Sequence, residues 1–220
     1  MRGERLMETP YQEGLFFRII DAISDIAILS ILWFVGCLPI ITVGASTTAL
    51  FYVCGKKVKG DEIRIVTEFV KSYKQNFVQS LGLTIMLAIL WYSGVTYFMM
   101  IFGSLEGGFS ISAVVMIIVA FEVIMLTVYM CALLAKYDLN TITIVKNSFL
   151  FTHAYFMESV KAFGLIVGLL FCLIFVPGLV MILPGSIALT ASIFVRNSIH
   201  KYLERQKAIE ELRAEQALEA

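Results

Sequence analysis

The stretch Ile111-Ser-Ala-Val-Val-Met-Ile-Ile-Val-Ala-Phe-Glu-Val-Ile-Met-Leu-Thr-Val-Tyr-Met-Cys-Ala-Leu-Leu-Ala135 decides what kind of fold this chain takes. Its only charged residue is Glu122, and no polar face recurs at helical spacing. A helix packed on a soluble core keeps such a face. About 20 apolar residues carry a helix across a hydrocarbon core of roughly 30 Å, and backbone in lipid must satisfy its own hydrogen bonds, which excludes open sheet. A membrane span is the expectation. Upstream, residues 81–102 form a second run with no charge at all. The connection between the two, residues 103–110, carries Glu106 and neither Lys nor Arg. Lys and Arg collect in cytoplasmic loops, so this connection lies on the outer side.

Composition agrees. The chain is 59% hydrophobic and 15% charged, where soluble domains are roughly 45–50% apolar and about 25% charged. A formal net charge of zero hides an asymmetry, because the 17 Lys and Arg residues fall in four places. These are the N-terminal tail (Arg2, Arg5, Arg18), residues 56–74, residues 136–161 and residues 196–213. Two further apolar stretches, 22–53 and 162–195, are long for one span and short for two. If each crosses once, both tails lie outside with 8 of the 17 basic residues. If each is a helical hairpin, all 17 are inside. The distribution of cations selects the hairpins, giving about six membrane segments with both termini cytoplasmic.

Turn chemistry stands where the hairpins need it. Three of the four prolines fall mid-stretch, Pro39 in the first and Pro177 and Pro184 in the second. Proline removes a backbone donor and bends or ends a helix, and Pro-Gly marks a turn. Each half comes to about 24 Å at a 1.5 Å rise, a little under the core thickness. The hairpins therefore either span fully or re-enter on the same side, with the same sidedness for the rest. Between the membrane segments, residues 61–77 place Ile63, Val66, Val70, Tyr73 and Phe77 on one helical stripe. Residues 140–158 do the same with Ile142, Val145, Phe149 and Phe156. Both read as amphipathic helices at the cytoplasmic interface. Residues 10–22 read similarly, and 200–220 as a charged, solvated helix or tail. The fold class is thus an all-α polytopic transmembrane bundle, one domain over 1–220, with an interfacial segment at 1–21 and a charged cytoplasmic tail at 197–220. The order hairpin, interfacial helix, span, span, interfacial helix, hairpin is palindromic, which argues against an internal repeat. The charged first twelve residues and the short run 15–20, broken by Arg18, do not read as a cleavable signal.

Few residues carry chemistry. Cys37, Cys54, Cys131 and Cys172 lie in apolar segments without Cys-x-x-Cys or a Cys/His cluster, so no metal, cofactor or disulfide framework is indicated. Gly55 and Gly60 have P-loop spacing, but Asp61 stands where the phosphate-binding Lys belongs. Ser198 and Lys201 match Ser-x-x-Lys by chance on a basic segment. No enzyme is expected, and no nucleic-acid partner; the membrane-proximal cations suit anionic lipid headgroups. Asp21 and Asp25, four apart, read as carboxylates snorkelling at the interface. Glu122 stands out, since an acid mid-span costs a few kcal/mol on insertion scales of about +2.5–3.5 kcal/mol. With no cation in any span, a protonated acid bonded to hydroxyls is expected, from Thr96, Tyr92, Tyr97 or Thr127. It is either a proton or substrate site or a hydrogen-bonded contact between helices. Pro39 with Thr42, Gly44, Ser46 and Thr47 either lines a polar cavity or permits close helix packing. Gly164 and Gly168 form a Gly-x-x-x-Gly pattern suited to packing within the chain.

The first hairpin, Ile31-Leu-Trp-Phe-Val-Gly-Cys-Leu-Pro-Ile-Ile-Thr-Val-Gly-Ala-Ser-Thr-Thr-Ala-Leu-Phe-Tyr-Val53, resembles the signature of the YesL-like family of bacterial integral membrane proteins. There an apolar helix with a Trp runs into a Leu-Pro-Ile-Val-Thr-Ile-Gly type of turn. The loop Glu68-Phe-Val-Lys-Ser-Tyr-Lys-Gln-Asn-Phe-Val-Gln-Ser80 is similar to the same family; Ser30 stands where the family has an Asn before the Trp. The resemblance implies a bacterial plasma membrane location and an association with carbohydrate uptake, with an ABC importer permease or a second copy of the chain as partner beside the bilayer. It implies no catalytic residue. A non-enzymatic accessory or regulatory component is the leading expectation, and a small permease using Glu122 the alternative.

Overall fold

Proline ends a helix at each of the two places where the sequence asks for a turn. The computed structural model describes residues 15–102 and 111–219. In chain order these form α1 (Leu15–Gly36), a 3-10 turn (Ile40–Thr42), α2 (Val43–Lys59), α3 (Ile65–Gln75), α4 (Phe77–Phe102), α5 (Ile111–Lys136), α6 (Thr141–Ala154), α7 (Phe156–Phe175), a second 3-10 turn (Pro177–Met181) and α8 (Leu183–Glu219). No strand occurs among the described residues. The connection at 103–110, expected on the outer side, and the first fourteen residues lie outside them.

At the first turn the carbonyl of Pro39 accepts from the Thr42 N–H at 2.9 Å. The Thr42 hydroxyl lies 2.7 Å from the Gly36 carbonyl and 2.6 Å from that of Pro39, covering the frayed end of α1. At the second turn Pro177 opens the 3-10 segment. Pro184 stands in the first turn of α8, where a missing N–H leaves no bond unmade. Among the described residues three helices are long and apolar enough to cross a membrane: Phe77–Met100, Ala113–Lys136 and Phe156–Phe175.

Small residues organise the centre. α2 packs against α1, α3, α4, α5 and α8, and Gly44, Ala45, Ser46, Thr48 and Ala49 are all buried in it. A Cβ on Gly44 would come within 2.2 Å of the Thr84 hydroxyl oxygen, so glycine is what lets α2 lie on α4. α8 buries Ala188, Ala191, Ser192, Val195, Ser198 and Ile199, a stripe at helical spacing. Where lipid surrounds a bundle, close approach rather than water exclusion holds helices together. Polar ties supplement it. The Tyr129 hydroxyl is 3.1 Å from that of Ser159 and 3.0 Å from that of Ser198, joining α5, α7 and α8 in the core.

α1 runs without a break from Leu15, through the described part of the segment expected at the interface. The residues expected as a charged helix or tail continue α8 through Glu219. The apolar stripes expected along 61–77 and 140–158 divide: Val66, Val70, Ile142, Phe149 and Phe156 are exposed, whereas Ile63, Tyr73 and Val145 pack on the core. The inward faces are Phe69, Ser72 and Asn76 in one case and Ile144, Ser148, Phe151, Thr152 and Tyr155 in the other.

The element order also reveals a direct repetition that the palindromic reading concealed. α2 ends in Tyr52-Val-Cys54 and, five residues on, Lys59; α5 ends in Tyr129-Met-Cys131 and, five residues on, Lys136. Each is followed by a short connection, a short helix, a one-residue break at Asn76 or Tyr155, and a long helix. Those long helices open Phe77-Val-Gln-Ser80 and Phe156-Met-Glu-Ser159. Cys54 and Cys131 are both 0% exposed, as are Ser80 and Ser159, so the matched positions serve the same packing.

Candidate functional site

Glu122 projects from the middle of α5, and its partner is a side chain that the sequence reading did not pair with it. His153 Nε2, from the last turn of α6, lies 3.3 Å from Glu122 Oε1. His153 Nδ1 is 3.0 Å from the Phe149 carbonyl. A carbonyl only accepts, so Nδ1 carries the hydrogen and Nε2 presents its other valence to the carboxyl group. The imidazole thus stands within reach of the carboxyl group in the middle of α5 and gives it a polar neighbour. The reversal between α5 and α6, at residues 137–140, makes this possible, because it lays α6 back alongside α5.

The hydroxyls expected to serve Glu122 are used elsewhere. Thr96 donates to the Tyr92 carbonyl of its own helix at 2.8 Å, and the Tyr92 ring is exposed. Thr127 donates to the Val123 carbonyl at 2.7 Å and accepts from Trp91 Nε1 at 3.1 Å. The signal for His153 was present, since a histidine thirteen residues into a helix that starts just after Lys136 comes level with the upper half of α5. What concealed it was the reading of α6 as lying flat on the interface.

The hydroxyl run after Pro39 is engaged in packing. Thr47 donates to the Val43 carbonyl at 2.7 Å and accepts from Trp33 Nε1 at 3.1 Å, pinning α1 to α2. Ser46 is fully buried, its oxygen within 2.0 Å of where a Cβ on Gly36 would stand. Gly164 and Gly168 face outward, with nothing within 4 Å of an added Cβ, so they mediate no packing among the described residues. The glycine at which the hairpins meet is Gly185. A Cβ there would lie 2.7 Å from both the Ile26 carbonyl oxygen and the Ser30 hydroxyl. Its N–H donates to that hydroxyl at 3.0 Å. Ser30 thus ties α1 to the start of α8.

Several charged groups at the basic end are paired. Asp25 forms an ion pair with Lys57. Lys56 Nζ is 2.7 Å from Glu68 Oε2, and that ammonium holds the Glu68 carboxyl below the usual carboxylate range. Glu158, 5% exposed, is met by Lys201 at 2.7 Å and Lys161 at 3.3 Å. Lys201 is thereby turned away from Ser198, whose hydroxyl sits with Tyr129. Gly55 to Lys59 are helical, and Gly60, at φ 87°, ends α2 as a left-handed cap with its N–H on the Lys57 carbonyl. That geometry is a helix stop, not a phosphate loop. Among the described residues no cluster of His, Cys, Asp or Glu suits a metal ion.

No curated protein and no solved structure matches the chain. Residues 26–98, from within α1 through α2 and α3 to near the end of α4, match the model of the family described as a protein of unknown function, DUF624.

Proposed function

We propose that this chain is a multi-pass membrane protein with six membrane segments and both termini in the cytoplasm, working by contact with a partner in the same bilayer rather than by turning over a substrate. The observation that carries the reading is the outward disposition of apolar surface. In the three candidate spans only 11%, 33% and 22% of the most apolar window is buried within the chain. The rest needs lipid or other helices to cover it, since soluble monomers rarely expose contiguous apolar patches beyond a few hundred Å². Several polar side chains of the interior tie helices together, as at Tyr129, Thr47 and Ser30. The resemblance to the YesL-like family suggests the setting, a bacterial plasma membrane and a carbohydrate importer whose permease is the partner. Affinity purification from the native membrane tests it. Co-purification of an importer permease, with no solute flux from the pure protein in liposomes, supports the accessory role. Flux from the pure protein refutes it.

The Glu122–His153 pair favours the second reading, a small permease with a proton-carrying site. There, Glu122→Gln abolishes proton-coupled flux in liposomes while the protein still folds.

A further inference from the structure

α2 and α5 both end beside α8, and between the three helices lies a cavity of about 180 Å³. Lys56 and Lys59 of α2, Lys136 of α5 and Arg196 of α8 line it, and no carboxylate does. Lys56 is committed to Glu68. Lys59, Lys136 and Arg196 have no carboxylate partner among the described residues. Arg196 donates one N–H to the Val58 carbonyl, which fixes the guanidinium at the rim and leaves its other donors available. The last-turn carbonyls of α2 and α5 would repel an anion, but they are answered by Lys56, Lys57, Lys59 and Lys136 in the same turns.

Two further observations point into this space. Ser192 lines it and is 6% exposed, yet its hydroxyl has no hydrogen-bond partner. Serines of the same helix close onto their own backbone: Ser186 onto Ile182 at 3.0 Å and Ser198 onto Phe194 at 3.1 Å. Ser192 does not, and a buried hydroxyl without a partner is unfavourable unless something supplies one. Gly55 also lines the cavity, and a Cβ there would meet nothing within 4 Å. The glycine keeps room that a side chain would fill. The remaining wall is apolar, with Phe51, Ala132 and Val195. Lys59 and Lys136 are equivalent in the α2–α4 and α5–α7 repetition, so the site is where the two halves present the same cation to one point.

We propose that this cavity binds a phosphate-bearing anion with an apolar body. Its oxygens take the Lys59, Lys136 and Arg196 donors and the Ser192 hydroxyl, and its carbon skeleton lies against Phe51 and Ala132. Such a ligand comes either from an anionic phospholipid headgroup or from a soluble phosphate ester. The inference holds under either reading of the protein's function.

The test is thermal unfolding of the full chain in neutral detergent, with added phosphatidylglycerol or phosphatidylcholine, and separately with glycerol phosphate or inorganic phosphate. A saturable stabilisation by phosphatidylglycerol alone identifies a lipid; one by the soluble phosphates identifies a metabolite. In both cases Lys59→Gln with Lys136→Gln weakens the effect by about tenfold or more, each tenfold being about 1.4 kcal/mol of binding. Gly55→Leu, which fills the cavity, keeps every charge and improves helix propensity, abolishes it. Lys71→Gln with Lys74→Gln, on the exposed face of α3, leaves it intact. No saturable stabilisation by any anion, or stabilisation equal in wild type and Gly55→Leu, overturns the proposal.

Discussion

At Gly185 the N–H bond to Ser30 and the 2.7 Å clearance to the Ile26 carbonyl leave no space for a methyl group. Gly185→Ala is expected to destabilise by about 1–3 kcal/mol, the range for overpacking a tight contact. Gly164→Ala and Gly168→Ala, with open space around them, should be neutral or slightly stabilising, as Ala is the better helix former. Detergent-phase unfolding midpoints compare the three, and a larger loss at Gly168 than at Gly185 contradicts the docking of the hairpins. At the Glu122–His153 pair the expectation is non-additive. Removing one partner leaves a polar group unserved at a cost of about 1–3 kcal/mol, whereas replacing both with Leu recovers most of that loss. A double-mutant cycle with Glu122→Leu and His153→Leu that sums to zero coupling removes the pair from any mechanism. Glu122 was legible in the sequence as an oddity because a lone acid interrupts an apolar run. Its partner was not, because thirty residues and a helix reversal separate the two.

Elements were more legible than the faces they present. Pro39 and Pro177 announce their turns through local backbone chemistry, which needs no tertiary information. The spans at α4 and α5 follow from length and the absence of charge. The inward faces of α3 and α6 did not follow, because an apolar stripe in a membrane protein is as well placed against lipid as against a neighbour. Val66 and Phe149 look outward while Ser72 and Ser148 look in. The direct repetition was concealed for a related reason, since its halves share a handful of positions such as Cys54 and Cys131 amid interchangeable apolar residues. The contact of α3 with α2 carries a pH signature through Glu68. Its carboxyl is held low by Lys56, so the pair contributes fully above the ordinary Glu value of about 4.3 and is lost as the pH falls through the lowered value. The protection of α3 amides, measured as exchange relative to the intrinsic rate at each pH, should therefore fall under acid, with Lys56→Met removing the dependence. Protection that is unchanged by pH in the wild type contradicts that tie.

For the molecule as a whole, the sidedness drawn from the cations predicts one pattern of surface labelling. A cysteine at position 210, in the exposed part of α8, reacts with a membrane-impermeant reagent only in inverted vesicles, and one at position 107 only in intact cells. Labelling of position 210 from outside would reverse every assignment of side. The number of segments rests on the hairpins, whose halves are longer in the structure than the sequence reading made them: α1 has 22 residues and α7 has 20, and only α2, at 17, stays short.

α8 has 37 residues, a rod of about 55 Å at 1.5 Å per residue. Its first part is wedged among α1, α2, α5 and α7, while residues 200–216 are exposed. Being unbroken, it behaves as a lever pivoted in the bundle: the exposed part beyond residue 200 is about 30 Å long, so each degree of tilt swings the far tip by about 0.5 Å. A small adjustment deep among the helices would thus displace the charged tip, and a protein grasping that tip would act back on the core through the same rod.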